Sequence, residues 1–230
     1  MSKTPLLLLH GALGSSASFA KLIPELENDY EIHTLDFSGH GDSPLAEEFN
    51  IVQFAKDTVN YMNLHHLDKV DIFGYSMGGY VGLWLCYTVP ERINKVFTLG
   101  SKIVWDRQGV EKELAMLDTE NMLLNIPKFV DLLKQRHTQI EWFDLVAHTR
   151  AMMVELGERN LLNEQVLSTI NHTVRLGVGD KDNTAGVEHS MATFRLIPEA
   201  QFHVFPNTPH PLEKVDLHRL SYSIKEFFKS

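Results

Sequence analysis

The segment Gly74-Tyr75-Ser76-Met77-Gly78 places a serine between two glycines, where an apolar strand gives way to a helical pattern. Glycine lacks a Cβ atom and therefore permits the sharp, strained turn that lifts a serine hydroxyl clear of a sheet. The same turn sets the hydroxyl at a helix N-terminus, where backbone N–H groups favour negative charge. The segment predicts a nucleophile whose reaction passes through an oxyanion. An ordinary turn that caps a helix is the alternative interpretation.

A serine nucleophile needs a general base, and the base needs an acid that orients it. His210 follows the strand predicted at residues 201–205, and Asp180 and Asp182 follow the strand predicted at residues 173–178. Ser76, a carboxylate and His210 thus stand in the chain order of the nucleophile-elbow hydrolases. The positions of the two carboxylates alone do not decide which of them is the acid.

Groups that could bind an oxyanion follow the first predicted strand. That strand ends in His10-Gly11-Ala12-Leu13-Gly14, a turn flanked by glycines. Backbone N–H groups in such a turn can stabilise the negative charge of a tetrahedral intermediate. In parallel sheets, catalytic groups collect beyond the carboxyl ends of the strands. We therefore expect this turn to lie beside the serine, the histidine and the carboxylate.

Five motifs occur in one order along the chain, from end to end except for residues 102–171: His10-Gly11, Asp36-Phe37-Ser38-Gly39-His40-Gly41-Asp42-Ser43, Gly74-Tyr75-Ser76-Met77-Gly78-Gly79, Gly179-Asp180-Lys181-Asp182 and His210. In this order they resemble the motifs of serine hydrolases with the α/β-hydrolase fold. The resemblance implies an α/β fold with a mostly parallel central sheet, helices on both faces and an all-helical lid insertion. It also implies a hydrolase that needs no cofactor.

The resemblance implies a role for each residue of the site. Ser76 would be the nucleophile and His210 the general base, and the backbone N–H groups of Ala12 and Met77 would form the oxyanion hole. In this family the acid usually stands three residues after the glycine that closes its strand, which selects Asp182. Asp180 would then be a turn residue. Leu13 is a less favoured second oxyanion donor.

Two features depart from the family's usual pattern. The chain starts directly on the strand that carries His10-Gly11, whereas the family often has two strands before it. The catalytic histidine commonly follows a glycine, but here the sequence is Pro209-His210-Pro211. Since proline fixes its own backbone and restricts the residue before it, we expect a rigid loop around His210.

Alternating hydrophobic patterns predict the elements that position these residues. Continuously apolar or alternating runs predict strands at residues 6–9, 31–36, 70–73, 95–99, 173–178 and 201–205. Helical periodicity predicts helices at residues 16–26, 51–62, 80–89 and 217–228, and Asn50 with Gln53 predicts a capping box. Strands that alternate with helices indicate a parallel sheet covered on both faces.

Residues 102–171 interrupt this alternation with helical patterns and no convincing strand. We predict that they form a helical lid over the carboxyl edge of the sheet, inserted into a core of residues 1–101 and 172–230. Helices packed on one flank are the alternative. Apolar side chains here and beside the serine suggest a substrate pocket lined by Leu13, Tyr75, Trp105 and Phe143, although the two lid residues could equally belong to the lid's own core.

Composition limits the possible partners and locations. The formal net charge of −9 argues against nucleic acid as a partner. No apolar stretch approaches the roughly 18 residues that would span a bilayer, so no membrane association is expected and a cytoplasmic location is the default. Neither a metal-ligand spacing nor a nucleotide-binding loop occurs, and the lone Cys86 is expected in the core. The sequence does not reveal the oligomeric state.

The motifs favour hydrolysis of a small, mainly apolar carboxylic ester through an acyl-enzyme on Ser76. Relatives with the same three residues also cleave carbon–carbon bonds, lactones and thioesters, and these reactions remain alternatives. An elimination of the kind found in menaquinone-pathway relatives is disfavoured, because Tyr80 stands where those relatives tend to have arginine. Two further alternatives are a ligand-binding receptor on a hydrolase scaffold and a cofactor-free oxygenase or perhydrolase.

Overall fold

A computed structural model describes residues 3–229 of the chain. Residues 1, 2 and 230 of the predicted core lie outside the described residues. Six parallel strands form one sheet in the spatial order β2-β1-β3-β4-β5-β6. Their bounds are Thr4–Leu9 (β1), Tyr30–Thr34 (β2), Val70–Tyr75 (β3), Ile93–Leu99 (β4), Thr173–Gly179 (β5) and Ala200–Phe205 (β6).

Helices connect the strands and cover both faces of the sheet. The α-helices are Ile23–Leu26 (α1), Ile51–Leu64 (α2), Met77–Thr88 (α3), Arg107–Met116 (α4), Thr119–Asn125 (α5), Pro127–Arg136 (α6), Trp142–Glu158 (α7), Glu164–Leu167 (α8), Val187–Phe194 (α9) and Leu217–Lys229 (α10). Short 3₁₀ helices occupy Ser16–Phe19, Pro90–Arg92 and Leu212–Lys214. This architecture confirms the predicted α/β fold class.

Alternation along β1 explains why the sheet lies between two apolar layers. Leu7 and Leu9 pack with α2 and α3, whereas Leu6 and Leu8 face the opposite layer, which contains α1 and α10. Successive side chains of a strand point to opposite faces, and all four leucines are fully buried. A strand that is apolar on both faces must be covered on both sides, as the sequence predicted.

The predicted strands are all present, and two helical predictions need correction. Residues 16–26 do not form one helix, because Pro24 lacks an N–H group and stands in the first turn of a separate short helix, Ile23–Leu26, after the 3₁₀ turn Ser16–Phe19. Asn50 caps α2 by accepting a hydrogen bond from the Gln53 amide. The Gln53 side chain donates to Asp57 instead of returning to Asn50, so the reciprocal half of the capping box is missing.

Helices α4 to α8 fill the segment between β4 and β5, which the structure describes completely and which contains no strand. We call them the inserted helices. Apolar side chains of α5, α6 and α7 pack together in a separate cluster, which also includes Leu13 from the loop after β1. This segment is therefore helical. Its role as a lid and the exact domain bounds stay predictions.

Two predictions about composition can be compared with the structure. Cys86 is buried in α3, as expected, and burial raises the pKa of its thiol. Among the described residues, no helix is both long enough and apolar enough to cross a membrane. The cytoplasmic location stays a prediction.

Candidate active site

Ser76 occupies the single residue between β3 and α3, and its backbone is strained. Its φ of 52° and ψ of −117° are rarely adopted by a residue with a side chain. The Ser76 amide donates to the Leu99 carbonyl at 2.8 Å, and the Ser101 hydroxyl donates to the Ser76 carbonyl at 2.8 Å. The end of β4 and the loop after it thus hold the turn through both its amide and its carbonyl, so the strained conformation persists.

The glycines on either side of Ser76 are required by close packing. A Cβ atom on Gly74 would lie 2.5 Å from the Gly78 carbonyl oxygen, and a Cβ atom on Gly78 would lie 2.1 Å from the Leu9 carbonyl oxygen. Side chains at either position would push α3 away from β1 and β3. The two glycines therefore let the helix start directly beside the sheet, with Ser76 at its N-terminus.

His210 lies between Ser76 and Asp182. Its Nε2 atom is 3.3 Å from the Ser76 hydroxyl, and its Nδ1 atom is 2.9 Å from the Asp182 Oδ2 atom. A carboxylate only accepts hydrogen bonds, so the proton of neutral His210 belongs on Nδ1. The lone pair on Nε2 then faces the serine hydroxyl and can accept its proton. The Asp182 side chain is almost completely buried.

Asp182 and Asp180 have different hydrogen-bond partners. Asp182 Oδ1 accepts from the amides of Thr184 and Ala185, both at 2.9 Å, which leaves Oδ2 for His210. Asp180 accepts from the Thr208 amide at 2.9 Å, and such backbone hydrogen bonds lower the pKa of its carboxyl. Of the two sequence candidates, the fold thus brings Asp182 to the histidine and Asp180 to the loop that precedes it.

Two neighbours of the His210 loop fix the imidazole. The Tyr75 hydroxyl donates to the His210 carbonyl at 2.9 Å, and the two rings pack at a centroid separation of 5.5 Å. Gly100, with a φ of 64°, lies under the pair, and a Cβ atom there would be 3.0 Å from Asp182 Oδ2 and 3.3 Å from His210 Nδ1. This glycine was not predicted as part of the site, because its importance depends on two residues far along the chain.

The amides predicted for the oxyanion hole belong to the loop after β1 and to the first turn of α3. Met77 is the first residue of α3, so its N–H has no partner within the helix. Within residues 3–229, the amides of Ala12 and Met77 donate no hydrogen bond to the protein. Both residues line the same small cavity as Ser76. The arrangement can direct two free N–H groups toward an oxygen bound beside the serine.

His10 supports the loop that carries Ala12. Its Nε2 atom accepts a hydrogen bond from the Phe37 amide at 3.1 Å, so the proton lies on Nδ1, which donates to the Gly11 carbonyl at 2.9 Å. The side chain is fully buried, and burial lowers its pKa to about 4. His10 is therefore neutral and structural here.

Two residues at the end of α6 bind the same loop from the side of the inserted helices. The carbonyl of Leu13 accepts from Arg136 Nη1 and His137 Nε2, each at 3.1 Å. His137 Nδ1 accepts from the Gly41 amide at 2.8 Å, which places the imidazole proton on Nε2. Leu13 itself has a φ of 58°, the left-handed region that disfavours residues other than glycine. This contact was not predicted from the sequence.

Two cavities meet at Ser76. The large cavity has a volume of about 310 Å³, and its lining includes His210 and residues of α4 to α6. The small cavity, of about 40 Å³, lies toward α3 and α7 and is not lined by His210. Five residues line both: Ala12, Ser76, Glu113, Met153 and Thr184. The serine is thus accessible from two differently sized spaces.

An ion pair forms one wall of the small cavity. Lys102 Nζ lies 3.2 Å from Glu113 Oε1, and both side chains are less than a tenth exposed. Lys102 also donates to the Gly109 carbonyl at 3.1 Å and lies 4.8 Å from the Trp105 ring centroid. A buried ion pair with these additional contacts is costly to separate, because removal of one partner leaves an unpaired charge. The wall is therefore rigid and polar.

A model of the α/β hydrolase fold matches residues 4–127, more than half of the chain. The chain belongs to the α/β-hydrolase-fold family. The matched segment includes Ser76 and the loop after β1, whereas Asp182 and His210 lie beyond it. The family match therefore identifies the fold, whereas the contacts of Asp182 and His210 are observed in the structure of this chain alone.

Curated relatives of this α/β hydrolase match mainly over less than half of its length. Ethanol acetyltransferase 1 of Kluyveromyces lactis is 36% identical over 94 residues, which cover 39% of this chain and 25% of that protein. Esterase YbfF of Escherichia coli is 32% identical over 98 residues, which cover 43% of this chain and 39% of the esterase. The matched segment thus spans between a quarter and two fifths of these two relatives.

Solved structures share the fold over nearly the whole chain at low sequence identity. An esterase from Thermogutta terrifontis has a TM-score of 0.79 at 19% identity and covers 99% of this chain and 90% of its own. A meta-cleavage product hydrolase from Pseudomonas fluorescens has a TM-score of 0.80 at 20% identity, with coverages of 99% and 91%. At this identity the similarity concerns the fold alone.

The predicted pocket residues of this α/β hydrolase occupy different positions. Leu13 and Tyr75 line the large cavity, and Trp105 lines the small one. Phe143 lines neither cavity and is 48% exposed. Phe143 packs edge-on against its neighbour Trp142, and of these two residues it is Trp142 that is buried. Consecutive residues point in different directions on a helix, and hydrophobicity alone did not show which of the two faces inward.

Proposed function

We propose that this chain is a serine hydrolase that cleaves a small, mainly apolar carboxylic ester through an acyl-enzyme on Ser76. The observation that carries the proposal is the continuous hydrogen-bonded series from Ser76 through His210 to Asp182. A serine is a weak nucleophile unless an adjacent base removes its proton, and a correctly oriented imidazole meets that need. Membership of the α/β-hydrolase-fold family supports the same reaction class.

In the proposed first half-reaction, Ser76 Oγ attacks the ester carbonyl carbon while its proton moves to His210 Nε2. Asp182 stabilises the resulting imidazolium, and the amides of Ala12 and Met77 stabilise the tetrahedral oxyanion. The carbon–oxygen bond to the alcohol then breaks, and the alcohol leaves with the proton from His210. An acyl group remains on Ser76.

In the second half-reaction, His210 removes a proton from water, which attacks the acyl carbon. The bond between that carbon and Ser76 Oγ then breaks, His210 returns the proton to Ser76 Oγ, and the carboxylic acid leaves. An alcohol in place of water would give a new ester. Several relatives are named alcohol acetyltransferases, so acyl transfer to an alcohol is a second candidate function. The two differ in the group that accepts the acyl group from Ser76, not in the groups that form the acyl-enzyme.

We also propose that the inserted helices form a lid, within the domain bounds 102–171 that the sequence predicts. Residues from α4 to α6 line the large cavity above Ser76, and this contact with the candidate site supports the proposal. Carbon–carbon, lactone and thioester cleavage use the same side chains and stay alternatives. A meta-cleavage product hydrolase is among the structural neighbours, but that similarity concerns only the fold.

A serine-directed probe tests the proposal directly. The protein is treated with a fluorophosphonate, and the mass of the intact chain is measured for wild type, Ser76→Ala and, as a matched control, the exposed Ser168→Ala. We expect one adduct on wild type and on Ser168→Ala and none on Ser76→Ala. Ester turnover should fall by about 10⁶ in Ser76→Ala, as in other triads.

Two results would contradict the proposal. A Ser76→Ala variant within tenfold of wild-type turnover would remove Ser76 from the mechanism. A folded wild-type protein without an adduct would favour the receptor-like alternative. Added ethanol distinguishes the two candidate functions, because a transferase should form the ethyl ester at the expense of the free acid.

A further inference from the structure

The two cavities at Ser76 can be assigned from the chemistry of the proposed reaction. His210 must give its proton to the leaving alcohol, so the leaving oxygen has to lie beside His210 Nε2. Of the two cavities, only the large one is lined by His210. The leaving group therefore belongs in the large cavity.

The acyl group belongs on the other side of the serine. In the tetrahedral intermediate the carbon carries the serine oxygen, the oxyanion, the leaving oxygen and the acyl substituent. With the oxyanion at the Ala12 and Met77 amides and the leaving group toward His210, the remaining space is the small cavity. Ser76, Ala12 and Met77 all line it, as this arrangement requires.

The volume of the small cavity limits the length of the acyl group. A water molecule takes up about 30 Å³ of the liquid, and the small cavity has a volume of about 40 Å³. It thus accommodates about one or two non-hydrogen atoms beyond the carbonyl carbon. The large cavity, at about 310 Å³, accommodates a group several times larger.

Contacts behind the small cavity keep its walls in place. The Tyr80 hydroxyl donates to Asn160 at 2.8 Å and accepts from the Leu162 amide at 3.0 Å, so α3 is attached to the end of the inserted helices. On another side stands the Lys102–Glu113 ion pair, whose separation would leave a buried charge unpaired. Expansion of the cavity for a long chain would have to disrupt one of these contacts.

We infer that the site selects esters of short acyl groups, acetyl or propionyl, on a bulky leaving group. The inference rests on the proposed acyl-enzyme mechanism and adds the substrate class.

A chain-length series with one leaving group tests the acyl side. We would measure kcat/KM for 4-nitrophenyl acetate, propionate, butyrate, hexanoate and octanoate, with Ser76→Ala as the blank. The value for hexanoate should be lower than that for propionate by about 100-fold or more, since even one misfitting methylene commonly changes kcat/KM by about 10-fold or more. A series of acetates with leaving alcohols from methanol to 2-naphthol tests the assignment of the leaving group to the large cavity. In this series kcat/KM should not fall as the alcohol becomes larger.

Matched leucine variants assign the selectivity to one cavity. Leu156 lines only the small cavity and Leu117 only the large one. Leu156→Ala should raise the hexanoate-to-acetate ratio of kcat/KM by about 10-fold or more, whereas Leu117→Ala should leave that ratio unchanged. Because Leu156 is buried, Met152→Val serves as a second, milder enlargement of the same cavity. Circular dichroism and the Tm establish that each variant is folded.

The outcomes separate this inference from the proposed function. A Ser76-dependent hydrolase whose kcat/KM is constant or rises toward hexanoate would overturn the short-acyl inference and leave the serine mechanism intact. A hexanoate-to-acetate ratio that responds to Leu117→Ala and not to Leu156→Ala or Met152→Val would reverse the assignment of the two cavities. Hydrolysis that persists in Ser76→Ala would overturn both proposals.

Discussion

Asp180 and Asp182 are two residues apart and allow a matched test of the acid. Asp182→Asn keeps the shape of the side chain but removes the charge that stabilises the imidazolium and fixes its tautomer. We expect kcat to fall by about 10⁴, the size of the effect seen when the acid of a serine triad becomes an amide. The measurement is steady-state hydrolysis of a short-chain ester, with Tm as the check on folding.

Asp180→Asn is the control for this prediction. Asp180 accepts from the Thr208 amide, whereas the carboxylate bonded to His210 is Asp182, so the variant should affect the stability of the loop more than the chemistry. We expect kcat within about tenfold of wild type and a lower Tm. Equal losses of kcat in the two variants would contradict the assignment of Asp182 as the acid.

Sequence reasoning works at the residue scale when a role depends on local spacing. The family resemblance, in which the acid usually stands three residues after the glycine that closes its strand, favours Asp182 over Asp180 without coordinates. Gly100 could not be found this way, because the reason for a glycine there is the proximity of Asp182 and His210 across the sheet edge. The direction of the Phe143 side chain could not be predicted from residue type either, because only its orientation on α7 leaves it 48% exposed.

At the scale of elements, the strands were predictable because burial on both faces leaves a continuous apolar run in the sequence. Residues 16–26 have an apolar pattern of the helical kind, but Pro24 lacks the N–H that one continuous helix would need. The helical character of the inserted segment also follows from periodicity. Their contact with the loop after β1 does not, because Leu13 and His137 are 124 residues apart.

That contact predicts a positioning role for His137. Its Nε2–H group and Arg136 hold the Leu13 carbonyl, and the preceding residue is Ala12, a proposed oxyanion donor. His137→Leu removes one of the two hydrogen bonds and lets the strained loop relax. We expect kcat to fall by about 10-fold or more with KM little changed, less than the roughly 10²–10³ that complete loss of an oxyanion donor costs.

His137→Gln is the matched variant, because a glutamine side chain can accept from the Gly41 amide and donate to the Leu13 carbonyl. It should recover most of the lost kcat. A trifluoromethyl ketone inhibitor, which forms the oxyanion on Ser76, should bind more weakly to His137→Leu in proportion to the loss of kcat. A merely structural role would lower the Tm without that proportional change in inhibitor affinity.

At the scale of the whole molecule, three buried histidines connect segments that are distant in the sequence. His10 follows β1, His40 belongs to the 36–43 turn, and His137 follows α6. The ring centroids of His10 and His40 are 5.0 Å apart, and those of His40 and His137 are 5.9 Å apart. Burial lowers the pKa of all three. The negative charge of Asp36 raises the pKa of His10 and of His137 and so partly opposes the effect of burial, whereas the positive charge of Arg136 lowers both pKa values further.

These pKa shifts predict how the stability of the fold depends on pH. In the unfolded chain each imidazole takes up a proton near pH 6.5, whereas His10 in the folded chain does so only at about 4. Below pH 6.5 the unfolded state therefore binds more protons than the folded state, and the free energy of unfolding falls. The expected slope is about 1.4 kcal/mol per pH unit for each such histidine, and it should vanish above pH 7.

Urea denaturation at pH 7.5, 6.5, 5.5 and 5.0 measures this slope, in a range above the ordinary pKa values of the carboxyl groups. His10→Gln separates the histidine contribution from any other group that titrates there. Its amide can donate to the Gly11 carbonyl and accept from the Phe37 amide, but it cannot take up a proton. The variant should lose less stability than wild type between pH 6.5 and 5.0, by about 2 kcal/mol. If wild type and His10→Gln lose stability in parallel, the neutral, buried state of His10 does not control the acid sensitivity of this fold.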